Sequence, residues 1–125
     1  MVKVLMIALG GAVGTAARYG VGVAMLRVLG AALPYGTLLA NLLGSFLLGV
    51  VMELSGEREL LGVPLKLVVG TGVMGGFTTY SSFNLETLRL AEQGAYGRAG
   101  VYLVVTVIAC LLAGLAGLSV ARSVS

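Results

Sequence analysis

Gly75-Gly76-Phe77-Thr78-Thr79-Tyr80-Ser81-Ser82-Phe83-Asn84, residues 75–84, places polar groups inside an otherwise apolar stretch. The two glycines weaken a helix. The serine and threonine hydroxyls that follow can satisfy the backbone groups freed by a break at membrane depth. Broken membrane helices commonly form ion sites, in which exposed carbonyl groups coordinate a cation. The stretch therefore predicts a membrane helix that is interrupted near its middle.

The composition of the chain indicates a membrane protein. Of its 125 residues, 58% are hydrophobic and only 10% are charged, which leaves too few polar side chains to cover a soluble fold of this size. The chain has no histidine and only one cysteine, Cys110. This argues against zinc sites, internal disulfides and a nucleophile–base pair. No basic cluster indicates a nucleic-acid partner. We expect an all-α membrane protein that contacts the lipid bilayer and is not an enzyme.

Charges and prolines divide the chain into four apolar segments, each close to the length of about 20 residues that crosses a bilayer. The predicted spans are approximately residues 4–29, 35–52, 65–85 and 100–120, with the break in the third. Two polar links, which hold most of the acidic residues, separate the last three spans. Residues 1–125 are expected to form a single four-helix transmembrane domain.

Basic residues in the links give almost no preference for one orientation in the membrane. One side would carry Lys3, Arg58, Lys66 and Arg122, and the other Arg27, Arg89 and Arg98. This balance is compatible with insertion in both orientations and head-to-tail pairing of two chains. It is equally compatible with a weakly biased protein that has one orientation.

Polar side chains inside the predicted spans are costly unless they face protein or water. Arg18 is either an anchor near a helix end or part of a vestibule that attracts anions. Asn41 shares one face of the second helix with Thr37 and Ser45, where it serves as interhelical glue or as a hydrogen-bond donor to an ion. In the fourth span, the spacing of Tyr102 and Thr106 repeats this pattern.

Tyr80 and Phe83 lie three residues apart, so their rings share one face if a helix resumes after the break. An aromatic ring is electrically positive at its edge. The pair could therefore stabilise a small anion without a formal charge. The alternative is that the stretch is a hinge followed by two core aromatic residues.

Three motifs extend over most of the chain. They are Gly10-Gly11-x-x-Gly14 leading to Ala17-Arg18-Tyr19, then Gly36-Thr37-Leu38-x-x-Asn41-x-x-Gly44-Ser45-Phe46, and Gly75-Gly76-Phe77-Thr78-Thr79-Tyr80-Ser81-Ser82-Phe83. The last two are highly specific together. With these motifs the chain resembles the Fluc family of fluoride channels, also called CrcB.

The resemblance implies a fluoride-selective channel that gives passive export of fluoride and relieves its toxicity in the cytoplasm. It also implies a dual-topology antiparallel homodimer with two anion pores, in the plasma (inner) membrane of a prokaryote. A structural sodium ion would lie at the dimer centre, bound by main-chain oxygens of Gly75 and Thr78. Arg18 would lie near the aqueous entrance. The implied pore residues are Asn41, Tyr80, Ser82, Phe83, Tyr102 and Thr106.

One departure from the family pattern affects the pore. Where this chain has Tyr80-Ser81-Ser82-Phe83, the family usually has Phe-Ser-Thr-Phe. The tyrosine keeps an aromatic edge and adds a hydroxyl that can donate to an anion or block it.

Two alternative functions share the length and predicted span count of the chain. A small dual-topology multidrug exporter would need a carboxylate inside the membrane, whereas Arg18 has the wrong sign for a cationic substrate. The five acidic residues lie in or beside the links: Glu53, Glu57, Glu59, Glu86 and Glu92. A membrane subunit without transport activity would not need the polar faces of the second and fourth helices.

Overall fold

The computed structural model describes residues 1–125, and most of them are helical. In chain order the elements are α1 (Val2–Leu29), α2 (Tyr35–Leu54), β1 (Glu59–Leu60), β2 (Val63–Pro64), a π-helix (Lys66–Met74), α3 (Gly75–Phe77), α4 (Tyr80–Glu92) and α5 (Tyr96–Val124).

Three helices are long and apolar enough to cross a membrane, namely α1, α2 and α5, with 28, 20 and 29 residues. At a rise of about 1.5 Å per residue, each reaches across a hydrocarbon core of about 30 Å. This agrees with the prediction of an all-α membrane protein, except for the two-residue strands β1 and β2. The segment from Lys66 to Glu92 is divided into three helical pieces.

The link predicted after the third span is shorter than expected. Glu86, Arg89 and Glu92 lie in α4, so only residues 93–95 connect α4 to α5. The helix accommodates these charges because it is amphipathic, with Phe83 and Leu90 on its buried face. The sequence predicted these charges in a short polar link, whereas Glu86, Arg89 and Glu92 belong to α4 and Arg98 belongs to α5.

The link between α2 and the π-helix contains a β-hairpin that the sequence analysis did not predict. Leu60 pairs with Val63, and the two residues between them, Leu61 and Gly62, have φ values of 52° and 79°. Positive φ at both central residues is the geometry of a type I′ turn, which matches the twist of a two-residue hairpin. Val63 is buried, so the hairpin packs against the helices.

Glycine faces bring the helices into close contact. A Cβ atom on Gly10 of α1 would lie 2.6 Å from the carbonyl oxygen of Val68, and one on Gly14 would overlap the carbonyl oxygen of Val73. Because both numbers rise together, α1 runs parallel to residues 66–77. A Cβ atom on Gly49 of α2 would similarly lie 2.8 Å from the Gly114 oxygen. Small residues of this kind allow the backbone contacts that hold membrane helices together.

Helix α2 runs parallel to α5, which aligns their polar side chains. At one end, Arg122 forms an ion pair with Glu53, with an Nε–Oε1 distance of 3.2 Å. Near the other end, Phe83, Leu90, Ala99 and Tyr102 form a buried cluster between α4 and α5. The polar face of α2 and that of α5 therefore meet along one groove beside the interrupted helix.

Candidate functional site

The interruption consists of Thr78 and Thr79, which have extended backbones with φ, ψ of −89°, 158° and −154°, 120°. Each threonine hydroxyl forms a hydrogen bond with a backbone group at the end of an adjoining helix. The Thr78 hydroxyl donates to the carbonyl oxygen of Met74 at 3.0 Å, and the Thr79 hydroxyl accepts the Ser82 N–H at 3.2 Å. The second contact is an N-cap, which favours the start of α4. The two glycines before the break remain helical.

Asn41 reaches from α2 to the backbone of the break. Its Oδ1 accepts the Thr79 N–H at 2.7 Å, and its Nδ2 donates to the Thr79 carbonyl oxygen at 3.0 Å. One turn further along α2, a Cβ atom on Gly44 would overlap the methyl group of Thr78. Asn41 and Gly44 together allow Thr78 and Thr79 to pack against α2.

The break takes several carbonyl groups, among them those of Gly75 and Thr78, away from the partners that a continuous helix would give them. In such a helix the Thr79 N–H would bond to Gly75 and the Ser82 N–H to Thr78. Here these N–H groups bond to Asn41 Oδ1 and Thr79 Oγ1 instead. The chain has no group of three or more His, Cys, Asp or Glu side chains that could hold a metal ion.

Arg18 lies on α1 beside the same break. Its Nε donates to the carbonyl oxygen of Gly76 at 3.2 Å, and the Thr15 hydroxyl approaches the same oxygen at 3.5 Å. The guanidinium thus pairs with a carbonyl group, which offsets part of the cost of an arginine within a membrane helix. It also lines a cavity of about 410 Å³ together with Tyr19 and Thr37.

A groove of about 310 Å³ lies between α2, the break and α5. Polar and aromatic residues in its wall include Asn41, Thr79, Tyr80, Phe83 and Thr106. Thr106 is only 5% exposed, and its hydroxyl has no hydrogen-bond partner in the chain. Buried hydroxyls are usually hydrogen-bonded. The groove therefore contains a donor that is free to bind a ligand.

Three aromatic rings form a row beside the groove. The ring centroids of Tyr80 and Phe83 are 5.7 Å apart at an interplanar angle of 75°, and those of Phe83 and Tyr102 are 5.3 Å apart at 63°. Both are edge-to-face arrangements, which aromatic pairs favour. Phe83 is 5% exposed and Tyr80 is 78% exposed, so the row leads from the exposed surface of this chain to its core.

The six predicted pore residues do not all have the same surroundings. Asn41, Tyr80, Phe83 and Thr106 line the groove. Ser82 lies outside its wall, and its N–H contributes to the cap of α4. Tyr102 is buried with its hydroxyl donating to Glu86 Oε1 at 3.2 Å.

Glu86 also belongs to the site, although it was not predicted from the sequence. Besides Tyr102, the Thr37 hydroxyl donates to this carboxylate, to Oε2 at 3.1 Å. The glutamate thus joins α2, α4 and α5 near the end of the groove. One signal could have identified it: Glu86 follows Phe83 by three residues and precedes Leu90 by four, so all three share a helix face.

Membrane-length helices with a polar groove between them define a small multi-pass membrane protein. The family described as CrcB-like protein, Camphor Resistance (CrcB), matches residues 5–118. The chain belongs to this family, which confirms the resemblance stated from its motifs.

Bacterial relatives named "Fluoride-specific ion channel FluC" are similar to the chain over nearly its full length. The relative from Sorangium cellulosum (strain So ce56) is 52% identical over 116 residues, which cover 93% of this chain and 91% of the relative. The relative from Anaeromyxobacter sp. (strain K) is 48% identical, with 98% and 97% covered. The relative from Agrobacterium fabrum (strain C58 / ATCC 33970) is 41% identical, with 98% of each chain covered.

Proposed function

We propose that the protein is a fluoride-selective ion channel that allows passive export of fluoride across the plasma membrane of a bacterium. Family membership and the names of the full-length relatives support this function. Fluoride accumulates in a cell when neutral HF crosses the membrane and dissociates inside. A channel returns the trapped anion down its electrochemical gradient, without a catalytic step.

The groove contains hydrogen-bond donors and a ring edge that can replace the tightly held water of a fluoride ion. A selective pore must replace the hydration shell with donors while binding the ion weakly enough to release it. The Thr106 hydroxyl is available for this, and one N–H of Asn41 Nδ2 is left after its bond to Thr79. Phe83 adds a positive ring edge. The observation that carries the proposal is the buried Thr106 hydroxyl, which has no partner within the chain.

The carbonyl oxygens of Gly75 and Thr78 are proposed to bind a structural sodium ion. Support comes from the two N–H groups that are diverted away from them and from the exposed position of Gly75 in a single chain. Two oxygens do not complete the shell of a sodium ion, so a second copy of the chain would supply the others. Bound there, the cation would add positive potential between two anion pathways.

A dual-topology antiparallel homodimer with four spans per chain accounts for both the incomplete cation site and the balance of basic residues. In this arrangement residues 66–92 form the third span, α1 and that span run in one direction, and α2 and α5 run in the other. The near balance of basic residues on the two sides is compatible with insertion in both orientations. Arg18 would contribute positive charge near the pore entrance while its Nε holds the Gly76 carbonyl.

Fluoride and chloride efflux from proteoliposomes tests the function. With a potassium ionophore to carry the compensating charge, we expect rapid release of fluoride and retention of chloride, because chloride is too large to use the same closely spaced donors. Efflux is followed with ion-selective electrodes, and protein-free liposomes are the control. Equal release of both halides would contradict the proposal.

Replacing Tyr80 by phenylalanine tests the departure from the usual family pattern. The ring and its edge contact with Phe83 remain, and the exposed position of Tyr80 leaves its hydroxyl free of packing constraints. We expect Tyr80→Phe to conduct fluoride within about tenfold of the parent rate, a barrier change of less than about 1.4 kcal/mol. Selectivity over chloride should be unchanged. A larger loss of fluoride efflux would show that the tyrosine hydroxyl contacts the ion.

A further inference from the structure

Asn41 forms hydrogen bonds to the backbone of the break, which lining the groove alone would not require. Its carboxamide exchanges two hydrogen bonds with Thr79, accepting the N–H at 2.7 Å and donating to the carbonyl oxygen at 3.0 Å. The side chain is only 9% exposed. Both ends of the carboxamide are therefore engaged by one residue of another segment, away from solvent.

The hydrogen bond to Asn41 Oδ1 determines where the Thr79 N–H points. In an uninterrupted helix that group would bond to the Gly75 carbonyl four residues earlier. Asn41 Oδ1 takes its place as acceptor, so the Gly75 oxygen loses its helical donor. The second freed carbonyl, that of Thr78, depends on the Thr79 hydroxyl, which takes the Ser82 N–H. Asn41 fixes the orientation of Thr79 and supports this contact as well.

We infer that Asn41 is a positioning residue for the cation site, in addition to lining the groove. It keeps the helix open so that the Gly75 and Thr78 oxygens remain available to sodium, and it does not itself bind the cation. The same side chain lines the groove, so it connects the anion pathway to the cation site. The inference rests on the sodium site included in the proposed function.

Asn41→Leu tests this role, because leucine nearly matches the shape of asparagine and lacks both hydrogen bonds. Asn41→Ser is a second variant, which keeps a polar group but is one bond too short to reach Thr79. Thermal unfolding of purified protein is measured in detergent, without fluoride, as sodium replaces a large organic cation at constant ionic strength. A cation that binds the folded protein raises its melting temperature with increasing concentration. The readout is therefore independent of transport.

We expect the melting temperature of the parent protein to rise with sodium. Either Asn41 variant should need at least about tenfold more sodium for the same rise, because a carbonyl oxygen that accepts a backbone N–H has one lone pair fewer to offer the cation. Thr106→Val is the matched control: it also alters the groove, but the Thr106 hydroxyl makes no hydrogen bond to the break. Its sodium response should equal that of the parent, while its fluoride efflux falls.

The possible failures can be told apart. If the parent and both Asn41 variants respond to sodium alike, Asn41 does not position the cation ligands, and the proposed channel function is unaffected. If the parent itself shows no sodium response, both the cation site and this inference are wrong. Fluoride efflux from the same parent preparation then decides separately whether the chain is a channel.

Discussion

Phe83→Ile is expected to slow fluoride efflux from proteoliposomes by at least about tenfold, which corresponds to a barrier increase of about 1.4 kcal/mol. Isoleucine fills much of the space of the ring but has no aromatic edge. In the parent chain, Phe83 lies in the groove wall beside Thr106 and is oriented by its contact with Tyr102, at a centroid distance of 5.3 Å. In the proposed pore, the positive edge of the ring would replace part of the water that fluoride loses.

Two measurements separate loss of conduction from loss of folding. Replacement of a core ring by a smaller apolar side chain also costs stability, so thermal unfolding must be recorded for the same preparation. Leu88→Ile is the matched control, since Leu88 lies on the same helix and is 53% exposed. The control should conduct at the parent rate. If Phe83→Ile is folded and also conducts at the parent rate, fluoride does not pass along this groove.

The sequence indicated approximately where the helix is interrupted, but it did not indicate which residues are extended. The glycines and hydroxyl residues of positions 75–84 indicated a broken helix. In the structure Gly75 and Gly76 are helical, and the extended residues are Thr78 and Thr79. The reason is that a glycine pair only lowers helix propensity, whereas Asn41 supplies a competing partner for a specific N–H group. That partner is 38 residues away, and sequence spacing alone does not give the register between two helices.

Glu86 was misplaced for a related reason. A run of Glu86, Arg89 and Glu92 is typical of a loop when only hydropathy is considered. Its helical spacing from Phe83 and Leu90 instead turns Glu86 toward Thr37 and Tyr102. Because Glu86 lies inside α4, the positions of the acidic residues no longer distinguish a channel clearly from a drug exporter. Family membership, rather than the positions of the acidic residues, now favours the channel.

The close packing of α1 against residues 66–77 can be tested by adding a single methyl group. A Cβ atom on Gly14 would overlap the carbonyl oxygen of Val73 and lie 2.8 Å from the Phe77 nitrogen. Both obstacles are backbone atoms, which cannot rotate away as a side chain can. To accept alanine, α1 must move away from the segment that leads to the break, and the Arg18 contact with Gly76 would be strained as a result.

We expect Gly14→Ala to lower the free energy of unfolding by about 1–3 kcal/mol, the usual cost of overpacking. It should also reduce fluoride efflux, because the break is held between α1 and α2. Unfolding is followed in mixed micelles with increasing amounts of a denaturing detergent. Gly20→Ala on the same helix is the control: beyond the adjoining backbone of α1, no atom lies within 4 Å of its added Cβ, and alanine is the better helix former by up to about 1 kcal/mol. Equal stability of the two variants would mean that α1 does not pack closely against residues 66–77.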